Sequence, residues 1–336
     1  MKKYILASML LALSTSLFSY TCPDIGDLQI FPSDNFWNWD MTEFEKHPDS
    51  ESIILAINVN AKYGFTNLHP DYGANEGIPY TFAGKEAVEI KLKQREQTDF
   101  GPMPIPLNAP VEGALDSKDL VSSQKLIRPL PGDRRVIVLD PKEKKLYELF
   151  DAAPQTNHWT AKSACIWDLT KNEMRKKGEG SCDNAGLAIF PGLVRYEEVA
   201  KGEIKHALRC TFSKTKNSYL FPATHKDSRL DDPNLPPMGM RLRLSKDFDV
   251  TGFSATNQVV LTALKKYGMI VADNGNSWYI SGAPDSRWKD DDLRDLKKVL
   301  AVDFEVIKTT DKNGLTLYPK GIRPKIEYVS GKRGRK

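Results

Sequence analysis

Five histidines are present, His47, His69, His158, His206 and His225. An imidazole titrates near neutral pH and can move protons during catalysis. His225, in FPATHKDS, is followed by Asp227 and Arg229 and precedes the turn-forming run Asp232-Pro233-Asn234-Leu235-Pro236-Pro237. A loop histidine among polar residues is a candidate acid–base group. His206, in GEIKHALR, alternates onto the same side as Leu208 and Phe212, so a hydrogen-bonded core histidine competes with a catalytic one. His69 stands two residues from Asp71 in NLHPDYG. That spacing suits a shared proton or a metal ion but is too short to specify either, and no metal or cofactor is expected.

Flat aromatic rings stack on the apolar faces of sugars, while carboxylates bind hydroxyls or move protons. Two segments supply both. HWTAKSACIWDL carries Trp159, Trp167 and Asp168, and NSWYISGAPDSRW carries Trp278, Tyr279, Asp285 and Trp288, with Asp273 at the adjoining turn. For a glycoside hydrolase, the carboxylate candidates are Asp168, Glu203 and Asp273. A polysaccharide lyase needs a base such as His225 or Tyr279, and Arg209 or Arg241 to neutralise a uronate by bidentate pairing. Trp167, Trp278 and Tyr279 are the ligand-stacking candidates. Core packing is the competing role for each tryptophan, and a solvated outer sheet face is the competing role for the arginines. The sequence has no G-x-S-x-G elbow, H-E-x-x-H, C-x-x-C, P-loop or strand-linked G-x-G-x-x-G, which removes the common serine and zinc hydrolase designs and nucleotide chemistry.

Mostly strands must position these residues. Residues 86–94 alternate Val88, Ile90 and Leu92 with charges. Residues 134–152 predict two strands around a polar turn at Asp140–Lys145. In 206–212, Ala207, Arg209 and Thr211 face away from the apolar side. In 238–244, Arg241 and Arg243 do the same. Helices are expected at Ser50–Ala61, at Ser254–Tyr267 with Ser254 as N-cap and Gly268 as exit, and at Asp290–Leu300, where leading aspartates and trailing lysines complement the dipole. Asn274-Gly275 predicts a hairpin between Met269–Ala272 and Trp278–Ser281. Many short strands with two or three peripheral helices predict a mainly β fold, an antiparallel, jelly-roll-like β-sandwich, with α+β as the alternative. Residues 20–112 are expected to wrap the body through a strap at 99–112 that holds four prolines. Residues 113–310 form the sandwich body and 311–336 a basic tail.

Residues 1–19, MKKYILASMLLALSTSLFS, have the build of a secretory signal peptide. The expected location is therefore periplasmic or extracellular, with no transmembrane segment. The formal charge of +4 falls to +2 without Lys2 and Lys3. Residues 320–336 carry a net +6, which leaves the body near −4. A basic tail on an acidic body is no nucleic-acid face; it suits anionic envelope polymers or a solvated terminus. The four cysteines, Cys22, Cys165, Cys182 and Cys210, suggest disulfides in an oxidising compartment, and Cys165–Cys182 closes the shortest loop. Ser19-Tyr20-Thr21 before Cys22 departs from a lipobox, favouring release over a lipid anchor.

LVRYEEVAKGEIKHALR at 193–209, PATH at 222–225, DPNLPPMGMRLRL at 232–244 and YGMIVADNGNSWYISGAPDSRW at 267–288 resemble a group of exported bacterial proteins of unassigned activity. The resemblance implies one exported domain and supplies no reaction. It also implies that Cys165 and Cys182 are a local addition. The resulting expectation is a secreted carbohydrate-active protein with a polysaccharide or other envelope glycan as partner, either a glycoside hydrolase or a polysaccharide lyase. The alternative is a non-catalytic glycan-binding or envelope-associated protein.

Overall fold

The computed structural model describes residues 20–93, 98–114 and 133–330. The expected signal segment, Gln94 and the end of the basic tail lie outside them. The described chain is rich in strands, has few helices and contains several mixed sheets.

The largest sheet has the order β1-β13-β10-β12-β11-β14. Its strands are β1 (His69–Asp71), β10 (Leu208–Phe212), β11 (Arg241–Leu244), β12 (Met269–Asn274), β13 (Tyr279–Ser281) and β14 (Phe304–Val306). β1 runs parallel to β13 and β10 parallel to β12, while the other pairings are antiparallel. The antiparallel expectation therefore holds only in part. The hairpin expected at Asn274-Gly275 does not form, because β10 inserts between β12 and β13 and pairs with both. Trp278 makes the return at φ 65°.

A second sheet runs β2-β4-β5-β8, from β2 (Tyr80–Phe82), β4 (Val136–Asp140), β5 (Lys145–Phe150) and β8 (Ser163–Asp168). β4 and β5 match the two strands expected from 134–152. Apolar cores lie on both faces of this sheet. Ile137 and Leu139 join the main core, whereas Val136 and Val138 join a smaller one. Burial on both faces explains why β4 is a continuous apolar run. The proline-rich strap closes the smaller core with Met103, Ile105, Ala109 and Val111, and Met103 bridges Val88. β3 (Glu89–Leu92), β7 (His158–Ala161) and β6 (Ala153–Pro154) form a small sheet beside it. β15 (Ile326–Val329) pairs in parallel with β9 (Asn172–Arg175), so that part of the tail is built into the fold and is not a solvated end.

The helices follow their sequence signals closely. α1 (Ser50–Val59) buries Ile53, Ile54 and Ile57 against β14. α2 (Tyr196–Ala200) is short. α3 (Ala255–Lys266) is capped by the Ser254 hydroxyl, which accepts from the Asn257 N–H, and it buries Val260, Leu261, Ala263 and Leu264. α4 (Asp290–Leu293) passes into a 3₁₀ turn, Arg294–Lys298, where a longer helix was expected.

Gly239 ties these layers together. Its N–H donates to the Val271 carbonyl, and its φ is 83°. A Cβ there would lie 2.1 Å from the Leu220 carbonyl oxygen and 2.8 Å from Ala223. Both the left-handed backbone and the contact penalise alanine. Gly239→Ala is expected to lower unfolding stability by about 1–3 kcal/mol in urea titration; an unchanged midpoint contradicts this packing.

Candidate functional site

The site is built on one face of the large sheet. Arg209 and Thr211 share that face of β10 because side chains alternate along a strand. Asp273 on β12 would alternate onto the opposite face in a regular ladder. The register shifts between Cys210 and Thr211, so that Cys210 opposes Val271 while Thr211 opposes Asp273. Ala272 is thus an extra residue in a β-bulge, the device that re-aims a side chain. Asp273 turns onto the face of Arg209, and the Ala272 carbonyl accepts the Ala185 N–H at 2.9 Å.

That last bond places the segment carrying Asp183 over the sheet. The segment is held at its other end by Glu148 of β5. Glu148 Oε1 accepts the N–H groups of Ile189 and Phe190 at 2.7 and 3.0 Å, and Oε2 accepts the Trp167 indole N–H at 3.0 Å. The Cys182 thiol donates to the Glu148 carbonyl oxygen. Within the segment, the Gly186 N–H returns to the Asp183 carbonyl.

The result is a carboxylate dyad on one guanidinium. Arg209 Nε and Nη2 donate to the two oxygens of Asp183, each at 2.7 Å. Nη2 also donates to Asp273 Oδ2 at 2.7 Å, and Nη1 to Ser281 Oγ at 2.7 Å. Arg135 Nη2 reaches the same Asp273 oxygen at 2.7 Å and also pairs with Asp133, while its Nη1 meets Glu112. Asn184 Nδ2 donates to Asp273 Oδ1 at 2.5 Å.

The two carboxyls behave oppositely. Burial pushes the Asp273 carboxyl up to about 7, and the negative charge of Asp183 adds to this against the two arginines. Burial also opposes ionising Asp183, but Arg209, engaging both of its oxygens, overrides it and holds that carboxyl below its usual range. The Asp183 side chain is 0% exposed and that of Asp273 9%. The dyad therefore pairs a carboxyl that Arg209 holds down with one that burial pushes up, both at the wall of a cavity. Two carboxylates held this close share a proton.

The cavity measures about 450 Å³ and is lined by Asp183, Asn184, Asp273, Arg135, Lys162 and His225, among others. His225 Nδ1 lies 2.9 Å from the Asn184 carbonyl. A hydrogen bond to a carbonyl requires Nδ1–H, which makes Nε2 the basic nitrogen of the neutral ring. Asp133 and Asp227 also line the cavity, so acidic groups outnumber basic ones.

Among the residues picked out from the sequence, Asp273, Arg209 and His225 converge here. The others do not. His206 sits in a separate buried network, 3.1 Å from both Glu198 Oε2 and Arg195 Nη2. Burial opposes a charge on Glu198, but Arg195 and His206 hold its carboxyl down to about 2. Asp168 closes a surface turn, accepting from the Thr170 N–H and hydroxyl. Glu203 is exposed and pairs with Lys205. Trp167 is buried with its N–H on Glu148, and Trp278 is buried with its N–H on Asn58 Oδ1. Trp159 and Trp288 are also buried. Tyr279 is half-buried on the site face, stacked on His69. Arg241 and Arg243 do not lie on a solvated outer face. Arg241 donates to the carbonyls of Phe36, Trp39 and Tyr267, and Arg243 to those of Met41 and Thr42 and to Glu305. The N-terminal segment covers that end of the sheet and supplies most of those carbonyls. All four cysteines are buried free thiols, with Cys165 and Cys182 in contact. Among the described residues, no three His, Cys, Asp or Glu side chains are grouped to hold a metal ion. Asp183, Arg135, Glu112 and Asn184 were not apparent from the sequence. Their one visible signal is Asp183 directly following Cys182 in the loop before the LVRYEEV stretch.

The buried carboxyls set a pH dependence of stability. Glu148 is raised by burial to about 7 despite its three donors. Its folded pKa exceeds the unfolded value of 4.5. The folded chain thus keeps a proton that the unfolded chain has released, and stability falls as pH rises between those values. Asp273 acts in the same direction. Glu198, lowered to about 2, acts oppositely, its contribution being lost as pH falls from about 4.5 toward 2. Comparing melting temperatures of the wild type and Glu148→Gln, the wild type should lose ground steadily from about pH 4.5 to about pH 7. Parallel curves across that range contradict the assignment.

No family model, curated protein or solved structure matches this chain.

Proposed function

We propose that this protein is an exported glycan hydrolase in which Asp273, its carboxyl pushed up to about 7 by burial and then by the charge of Asp183, is the general acid. The supporting observation is the Asp183–Asp273 dyad on Arg209 at the wall of a polar cavity. Its two carboxyls have pKa values driven apart, the pattern that separates acid from base roles. A cavity of about 450 Å³ lies within the size range of small-molecule sites.

Hydrolysis fits better than elimination. A lyase must neutralise a uronate, and neither arginine suggested for that task is available. Arg209 spends its donors on Asp183, Asp273 and Ser281, and Arg241 on backbone carbonyls. The excess of acidic groups around the cavity disfavours a polyanionic substrate. The substrate class is therefore a neutral or amino-substituted polysaccharide. On this reading, the touching Cys165 and Cys182 thiols close into a disulfide in the oxidising compartment, and Cys22, buried with its thiol pushed up to about 12 by burial, carries no lipid.

The test is incubation of the protein, freed of residues 1–19, with neutral, amino-substituted and uronate polysaccharides. New reducing ends without unsaturated uronates, lost in Asp273→Asn, are expected. Unsaturated products would indicate a lyase, and binding without any product would indicate a glycan-binding protein.

A further inference from the structure

We propose that His225 is the base that activates water for this hydrolysis, standing at the wall of the cavity that Asp273 borders and fixed to Asp273 through Asn184. This rests on the glycan hydrolysis proposed above and adds to it the base and the stereochemical outcome.

One short loop, residues 183–186, ties the parts together. Asn184 Nδ2 donates to Asp273 Oδ1, and the Asn184 carbonyl accepts from His225 Nδ1 at 2.9 Å. The Ala185 N–H donates to the Ala272 carbonyl beside Asp273, while the Ala185 carbonyl accepts the N–H groups of Thr224 and His225 at 2.9 and 3.3 Å. The Thr224 hydroxyl donates to the Glu179 carbonyl at 2.8 Å, and the Thr224 carbonyl accepts the Gly178 N–H at 2.7 Å. The two segments touch at Gly186, where φ is 77° and a Cβ would lie 2.1 Å from Thr224 Oγ1. His225 and Asp273 are therefore fixed relative to each other by the backbone and side chain of one residue, and both line the cavity of about 450 Å³.

The environment of His225 suits a base. Its Nδ1–H is taken by the Asn184 carbonyl, which leaves the lone pair on Nε2, and among the described residues no group hydrogen-bonds to Nε2. His225 is half-buried and lines the cavity, so water reaches the ring. A histidine anchored on a carbonyl through one nitrogen is held in one tautomer and one orientation. Such anchoring keeps a base in its working position.

The other acidic groups of the cavity are less suited. Asp183 has both oxygens on Arg209 and a side chain 0% exposed, so it cannot reach an anomeric carbon as a nucleophile. Asp133 pairs with Arg135. Asp227 is exposed, and its segment is held through its backbone carbonyl, which accepts from Asn274 Nδ2, not through its carboxylate. Among the described residues lining the cavity, none of these offers a carboxylate both anchored and unpaired for a glycosyl–enzyme bond. Water therefore attacks the anomeric carbon directly, and direct attack inverts it.

In the step proposed, Asp273 gives its proton to the glycosidic oxygen as the bond from that oxygen to the anomeric carbon breaks. Water forms the new bond to that carbon from the other side, and its proton passes to His225 Nε2, which becomes an imidazolium. One water is consumed, and Asp273 and His225 exchange protons with solvent to reset.

The test uses His225→Asn, His225→Ala and Asp273→Asn on a glycan that the wild type hydrolyses, with thermal melts confirming folding. Asparagine offers an amide N–H in place of Nδ1–H, so His225→Asn keeps a donor for the Asn184 carbonyl but has no basic nitrogen. It should lower kcat by about 10²–10⁴-fold with little change in KM. It should lose the acid limb of the pH–rate profile and keep the alkaline one. Added imidazole should restore part of the turnover of His225→Ala, and nuclear magnetic resonance of fresh product should show an inverted anomer. Wild-type kcat in His225→Asn alongside an inactive Asp273→Asn overturns this inference and leaves the proposed function standing. So does a lowered kcat that keeps the acid limb, since the ring then serves structure alone. A retained anomer overturns direct attack by water and the role of His225 with it. Absence of hydrolysis by the wild type overturns both readings.

Discussion

Replacing Asp273 by asparagine is expected to lower kcat/KM by about 10²–10⁴-fold, the range that general acid catalysis contributes. Asparagine is close in size and keeps a carbonyl oxygen for Arg209, but it has no acidic proton to give. The chain should therefore stay folded and still bind glycan while losing turnover. Asp183→Asn tests the coupling from the other side. Burial is the largest influence raising the Asp273 carboxyl, and the charge of Asp183 is the next. Removing that charge should bring Asp273 down and move the alkaline limb of the pH–rate profile to lower pH, with activity near neutrality falling as the acid form becomes scarce. An Asp183→Asn enzyme whose alkaline limb is unmoved would show that the two carboxyls act independently.

Loss of Arg209 is expected to be the most damaging single change to stability. Its guanidinium makes four short bonds at 2.7 Å, to Asp183, Asp273 and Ser281, in a setting nearly closed to water. Arg209→Met keeps much of the side-chain bulk but leaves Asp183 buried with its direct counter-ion gone. Breaking a buried ion pair from one side typically costs about 3–5 kcal/mol, to be read from urea unfolding midpoints. The double variant Arg209→Met/Asp183→Asn should recover part of that loss, because the stranded charge is removed as well. A loss below about 1 kcal/mol would place Arg209 among exposed, weakly coupled pairs and contradict the buried dyad.

The elements most legible in the sequence are those whose pattern is local. The Ser254 cap, the apolar stripe of α3 and the two strands around Asp140–Lys145 appear where the sequence places them. Alternation also put Arg209 and Thr211 on one face of β10. Alternation cannot say what covers a face, however. Arg241 and Arg243 looked solvated because the carbonyls that receive them come from Phe36, Trp39, Met41 and Thr42, about two hundred residues away in the chain. Asn274-Gly275 is a strong hairpin signal, yet β10 takes the position between the two strands, and a local turn propensity carries no information about a third strand.

The site shows the same division. Asp273, Arg209 and His225 were recognisable by residue type and surroundings, and they meet. The bulge at Ala272 that turns Asp273 toward Arg209 has no glycine or proline to announce it. Asp183 was overshadowed by the cysteine before it. Glu148, whose contacts help hold the Asp183 segment, reads in KLYELF as an ordinary polar position in an alternating strand. Tertiary contacts make these three residues important, and their immediate neighbours in sequence do not reveal it.

Asp273 is expected to titrate near neutrality, far above an ordinary aspartate, so that a large share of it still carries a proton there. Carbon-13 nuclear magnetic resonance titration of the aspartate carboxyls in the wild type and in Asp273→Asn measures this without any substrate. One transition near pH 7 is expected, absent in Asp273→Asn and moved to lower pH in Asp183→Asn. If the Asp273 carboxyl instead titrates with the ordinary aspartates, near pH 4, it is ionised at neutrality and cannot be the proton donor.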